Sequence, residues 1–207
     1  MAYGFLDLLA TPSVRAAQAA NGAREIWERF EGDRSSDRFT QSEAAFIGER
    51  DSFYLASISQ SGWPYVQHRG GPPGFLRLLD ETTLGFADYR GNRQYISLGN
   101  VAADDRVALI LMDYPNQARL KILARMEVRD LADDPDLAAR LTHPGDKGRP
   151  ERAFVLKLAA FDWNCPQHIT RRFTGPDIET VLAPLRRRIE MLEAENAALR
   201  AQHAGPP

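Results

Sequence analysis

Between Ser52 and Arg129 the sequence breaks into short runs, SFYLASIS, YVQHR, FLRLL, TLGFAD, RVALILMD and RLKILARMEV. Each is β-branched or aromatic and each is bounded by turn residues, the pattern of strands in a barrel. Ser61-Gly62 supplies a positive φ, Pro64 and Pro72-Pro73 restrict the chain, and Tyr114-Pro115-Asn116 forces a reversal, so consecutive strands are expected to pair antiparallel. RAFVLKLAAF, from Arg152, resumes strand character.

Helices flank these strands. Residues 1–50 are Ala-rich and amphipathic, and Thr40 followed by Glu43 matches a capping box that starts a helix near position 41. RGNRQYISLGNVAADD runs from an Arg/Gly/Asn loop into a short amphipathic helix. In ADDPDLAARL, Asp133 or Asp134 caps a helix with Pro135 in its first turn, and that helix stops before His143-Pro144-Gly145. The tail places Ile178, Leu182, Leu185, Ile189, Leu192, Asn196 and Leu199 alternately four and three residues apart, an a/d seam with Asn196 at an a position. Such a tail either pairs with a partner helix or packs on its own domain. The expected organisation is an N-terminal helical segment (1–50) packed on the barrel, a β-barrel (51–175) and a coiled-coil-like helix (176–207).

The 207 residues are 43% apolar, enough for one domain with a buried core and an appendage. A net charge of −2 lacks the basic footprint of a nucleic-acid or anionic-membrane binder, which leaves small molecules and protein partners. No apolar run is long enough to span a bilayer, and the N-terminus has no basic region followed by a long apolar core. The single cysteine, Cys165, cannot form a disulfide within the chain. A cytoplasmic location is expected.

Three stretches carry candidate chemistry. Ala87-Asp88-Tyr89-Arg90-Gly91-Asn92-Arg93-Gln94 ends a strand and opens a helix, where two guanidinium forks and free backbone N–H groups suit a phosphate monoester. Arg90 and Arg93 are the expected forks, with Gly91 allowing close backbone approach and Asn92 taking a left-handed conformation or donating its amide. The alternative is an exposed, solvated loop. In Tyr65-Val66-Gln67-His68-Arg69, alternation puts Tyr65, Gln67 and Arg69 on one face, so Gln67 is able to read a heteroaromatic ring edge and Arg69 a phosphate. The alternative is an edge strand with a polar outer face. In Asp162-Trp163-Asn164-Cys165-Pro166-Gln167-His168, Trp163 offers stacking and Asn164, Gln167 and His168 offer hydrogen bonds. Cys165 and His168 alone are two ligands without a second pair, so no metal is expected. The common glycine-rich nucleotide loops and the serine nucleophile elbow do not occur.

Taken in order, SFYLASISQSGWPYVQHRGGPPGF, LGFADYRGNRQYISLGN, RVALILMDYPNQARLKILARMEV and AFDWNCPQHIT resemble the pyridoxamine 5'-phosphate oxidase-related FMN-binding proteins, over about residues 40–175. The resemblance implies a mainly β fold with flanking helices, the split β-barrel, assembled as a homodimer with FMN at the subunit interface. It implies phosphate binding by Arg69, Arg90 and Arg93, with Tyr89, Asn92 and Gln94 beside them, and Val66, Gln67 and His68 near the flavin ring. Gln117, Arg119 and Lys121 are further candidates. Trp163, Asn164, Gln167 and His168 lie where family members approach the cofactor from the partner subunit. The vitamin-forming oxidases carry a lysine near the end of the early strand and a basic C-terminal segment; Gly-Gly-Pro-Pro and a coiled-coil-like tail stand here instead. The expected function is a flavin-dependent oxidoreductase acting on an unidentified small molecule or electron donor, with no side chain required as acid or base. A non-catalytic flavin or haem module, with His68 or His168 as axial ligand, is the alternative. A coiled-coil scaffold carrying an inert barrel is a third reading.

Overall fold

A computed structural model describes residues 4–28, 37–142, 148–163 and 167–203. The runs read as strands are strands: β1 (Ser52–Ile58), β2 (Pro64–Gly70), β3 (Arg77–Asp80), β4 (Thr83–Tyr89), β5 (Arg106–Asp113), β6 (Ala118–Arg129) and β7 (Pro150–Trp163). They form one antiparallel sheet in the order β2-β1-β5-β6-β7-β4-β3. The turn chemistry works locally as expected at Gly62, whose φ of 83° closes the β1–β2 hairpin, its N–H donating to the Ser59 carbonyl (2.8 Å).

The sheet is a split β-barrel. β2 lies at one end of the strand order and β4 next to the other, yet Arg69 on β2 touches Asp88 on β4 at 2.8 Å, and the Phe53 and Phe86 rings of β1 and β4 meet at 5.3 Å. Only a sheet that curls its two ends toward each other brings these pairs together. Among the described residues no ladder joins β2 to β3. The interior is filled by side chains, with Phe53, Leu55, Phe86, Leu120, Ile122 and Phe154 almost wholly buried.

Seven helices accompany the strands among the described residues: α1 (Phe5–Leu9), α2 (Pro12–Ala20), α3 (Arg24–Glu28), α4 (Gln41–Gly48), α5 (Ile96–Ala103), α6 (Pro135–Leu141) and α7 (Gly175–His203). In the N-terminal segment the packing is carried by Phe39, stacked on Phe161 at 5.6 Å, and by Ile47 of α4; α1 and α2 bury no residue. Asp134 caps α6, with Pro135 in its first turn. The chain divides into two compact units, one of residues 1–113 and 118–167 and one of 114–117 and 168–207. No helix among the described residues is long and apolar enough to cross a membrane, and no group of three or more His, Cys, Asp or Glu there is arranged to hold a metal ion.

The capping box at α4 reaches across the fold. One Glu43 oxygen accepts from the Thr40 N–H (2.9 Å) and hydroxyl, and the other from the Trp163 indole N–H at 2.7 Å. Burial alone would raise the Glu43 carboxyl, but these donors outweigh it and hold it below its ordinary 4.5. A carboxylate whose pKa is depressed by folding stabilises the fold above its unfolded value and loses that contribution as pH falls through the folded one. Glu43→Gln is therefore expected to cost about 1–2 kcal/mol at neutral pH. Urea unfolding should show the gap to the unaltered chain closing as pH drops below 4.5.

Candidate functional site

Arg69 belongs to an ionic network built around the buried Asp88. It reaches the barrel interior because it shares the inward face of β2 with Tyr65 and Gln67, while Val66 and His68 point outward. Its Nη1 donates to Asp88 Oδ1 (2.8 Å), and its guanidinium lies over the rings of Phe154 (5.4 Å) and Phe86 (5.7 Å). The second Asp88 oxygen accepts from Arg152 Nη1 at 3.0 Å, a pairing set by the β4–β7 register, which puts Asp88 opposite Arg152. Arg152 continues to Glu151 (3.1 Å), whose carboxylate also accepts from the Tyr95 hydroxyl (3.1 Å) and lies 3.6 Å from Arg90 Nε. Three arginines, Arg69, Arg90 and Arg152, thus share two acids, Asp88 and Glu151, which leaves one positive charge in the network.

Two cavities flank the Arg69–Asp88 pair. One, of about 230 Å³, is bordered by Gln67, Arg69, Tyr89, Asn92, Arg93 and Gln94, together with the first turn of α5. The other, of about 350 Å³, is bordered by His68, Arg69, Phe75, Phe86 and Tyr89 and by the Gly70–Pro72 loop. The glycine-rich loop is needed there for packing: a Cβ at Gly71 would sit 2.6 Å from Phe75 Cγ, and that ring is stacked on Phe53 at 5.5 Å.

At the first cavity the turn into α5 differs in detail from expectation. The left-handed residues are Arg93 (φ 65°) and Tyr95 (φ 52°), not Asn92. Asn92 instead uses its side-chain oxygen to accept from the Gln94 N–H (3.1 Å), fixing an Asx turn. A Cβ at Gly91 would meet open space, so close backbone approach within the chain is not why a glycine stands there. No side chain caps α5, so its leading N–H groups face the cavity end without an internal acceptor. Ser97, buried in the first turn, donates to Gln67 Oε1 (2.9 Å), and Asn100 one turn on donates to Ser57 (3.0 Å), pinning α5 to β1 and β2.

The donor set suits a phosphate monoester: Arg69, Arg93, the Gln94 amide and an uncapped helix start surround the smaller cavity. Arg69 Nε is moreover buried without a hydrogen-bond partner, a donor still to be satisfied. Arg90 borders neither cavity, since Glu151 draws it away.

The other expected residues divide. Val66 is 60% exposed on the outer face, and His68 meets Tyr54 edge-on at 5.6 Å. Trp163 borders neither cavity; its indole is held by Glu43 and packs edge-on against Phe46 at 4.7 Å. Arg119 is half-buried on β6 with its Nε unpartnered, and Lys121 pairs with Asp162 at 2.7 Å. Gln117 and His168 belong to the second unit, where Gln117 donates to the Ile169 carbonyl (2.7 Å) and accepts from Arg171 (3.2 Å). Gln167 is exposed, and Asn164 and Cys165 lie outside the described residues. Asp88, Glu151, Arg152 and Ser97 were not singled out from the sequence. The signal available was an acid and an Glu-Arg pair interrupting apolar strands.

No curated protein matches the chain. Among solved structures, a candidate pyridoxamine 5'-phosphate oxidase of Lactobacillus delbrueckii is 21% identical, with a TM-score of 0.47 over 61% of this chain and 94% of that one. HupZ of Group A Streptococcus is 14% identical, with a TM-score of 0.48 over 65% and 99%. General stress protein 26 of Bacillus anthracis is 8% identical, with a TM-score of 0.46 over 59% and 91%. The family model described as pyridoxamine 5'-phosphate oxidase matches residues 39–161, from Phe39 on the core to Phe161 at the end of β7. The chain therefore belongs to the pyridoxamine 5'-phosphate oxidase family.

Proposed function

We propose that the chain is an FMN-binding oxidoreductase that acts on a small molecule as a homodimer. The observation that carries this reading is the cationic cavity between Arg69 and Arg93 at the uncapped start of α5, in a member of this family. Bound FMN would supply the hydride or electron transfer. Arg69, Arg93 and the α5 N–H groups hold the phosphate, and Asp88 with Phe86 and Phe154 keeps the Arg69 guanidinium in place. Ser97 occupies the Gln67 carbonyl oxygen, so Gln67 presents its NH₂ to acceptors on the ring edge.

Two observations support a second subunit. A cavity of about 230 Å³ is smaller than the roughly 300–1,000 Å³ that encloses a drug-sized ligand, so the phosphate end fits and the ring needs a further wall. Tyr54, Ile58, Trp63 and Val66 also leave the outer face of the β1–β2 hairpin apolar and exposed, Trp63 by 76%.

The test is spectroscopic. Purified full-length chain incubated with FMN and freed of excess should keep a flavin double band that NADH or NADPH bleaches anaerobically. A colourless protein with no thermal stabilisation by FMN overturns the reading. A Soret band after incubation with haem, and no flavin band, would transfer the site to the haem module.

A further inference from the structure

We propose that α7 forms a parallel, in-register two-stranded coiled coil with α7 of a second copy of this chain. The inference extends the homodimer proposed above and rests on it.

The seam is intact in the structure; Leu182 is half-buried, and from Leu185 onward its residues are exposed. α7 runs unbroken from Gly175 to His203 without a single buried residue, and Leu185, Ile189, Leu192 and Leu199 are 44–56% exposed. An amphipathic helix gains most of its stability by burying its apolar face, so a 29-residue helix whose seam is exposed from Leu185 to Leu199 calls for a partner. Pro184 lies one position before Leu185 and on the side away from the seam, so the two heptads from Leu185 to Leu199 are free of its ring.

The charges flanking the seam identify the partner as a second α7. With Leu185, Leu192 and Leu199 at d and Ile189 and Asn196 at a, the flanking g and e positions hold Arg186, which pairs with Glu179 on its own helix, and Arg188, Glu193, Glu195 and Arg200. In a parallel pair each g residue meets the e residue five positions on in the other chain. Arg188 then faces Glu193, and Glu195 faces Arg200, attractive in both directions. An antiparallel pair would also match Arg188 with Glu195, so charge alone does not choose the direction. Asn196 does: in a parallel pair, a faces a and the two Asn196 amides hydrogen-bond each other, whereas an antiparallel pair sets each Asn196 against an apolar d residue and leaves it unsatisfied. Two heptads are short for free peptides, and two barrels already held together would raise their effective concentration.

Disulfide trapping in the full-length chain tests this. In a Cys165→Ser background, Leu192→Cys at d and Glu190→Cys on the outer face are oxidised separately, and non-reducing gels are read beside sedimentation of the unaltered chain. The expected result is a dimer by sedimentation, near-complete covalent dimer for Leu192→Cys and little for Glu190→Cys. A sedimenting dimer with no covalent product at Leu192→Cys, or with equal yields at both positions, overturns the coiled coil and leaves the barrel dimer standing. A monomer by sedimentation overturns both.

Discussion

Arg69→Gln is expected to bind FMN about 100-fold more weakly than the unaltered chain, because it removes a charge-assisted donor worth roughly 1.5–3 kcal/mol from the phosphate cavity. The loss should be confined to the phosphate: riboflavin, which lacks it, should bind both chains alike. Arg69→Lys should recover only part of the affinity. Lysine keeps the charge, but it lacks the planar fork that lies over Phe154 and donates to Asp88. Equilibrium titration by quenching of flavin fluorescence measures all three chains with both flavins.

Asp88→Asn should be the most destabilising change near the site. Asp88 is buried and accepts from two guanidinium groups, Arg69 at 2.8 Å and Arg152 at 3.0 Å. Removing its charge leaves two cations in a low-dielectric setting with one counter-ion fewer, at a cost of about 3 kcal/mol, or roughly 6–12 °C in Tm. The same substitution frees positive charge for an anion. Saturating FMN should therefore raise the Tm of Asp88→Asn by more than it raises that of the unaltered chain, since a ligand that binds only the folded state stabilises it in proportion to its affinity. Thermal unfolding with and without FMN reads both effects.

The contrast between Arg69 and Asp88 marks how far the sequence could be read. The strands were legible because β-branched runs such as RVALILMD alternate buried and partly buried positions and end at turn residues, all of it local. Thr40 and Glu43, Asp134 and Pro135, and the inward face of β2 were legible for the same reason. Asp88 and Arg152 are 64 positions apart and meet only because β4 and β7 pair in one register. Trp163 shows the same limit: its N–H donates to Glu43, 120 positions earlier, a contact that nothing near it in the sequence announces. In the turn before α5 the left-handed conformation offered for Asn92 is taken by its neighbours. Asparagine is a usual left-handed residue, but Asn92 forms an Asx turn and the positive φ falls on Arg93 and Tyr95.

We propose that the cavity between Arg69 and Arg93 recognises the phosphate of a flavin nucleotide. Its most direct test is the ratio of FMN to riboflavin affinity for the full-length chain in phosphate-free buffer. FMN should bind about 100-fold more tightly, a difference of roughly 2.7 kcal/mol, with inorganic phosphate competing. Equal affinity for the two flavins, or no binding of either, would contradict it.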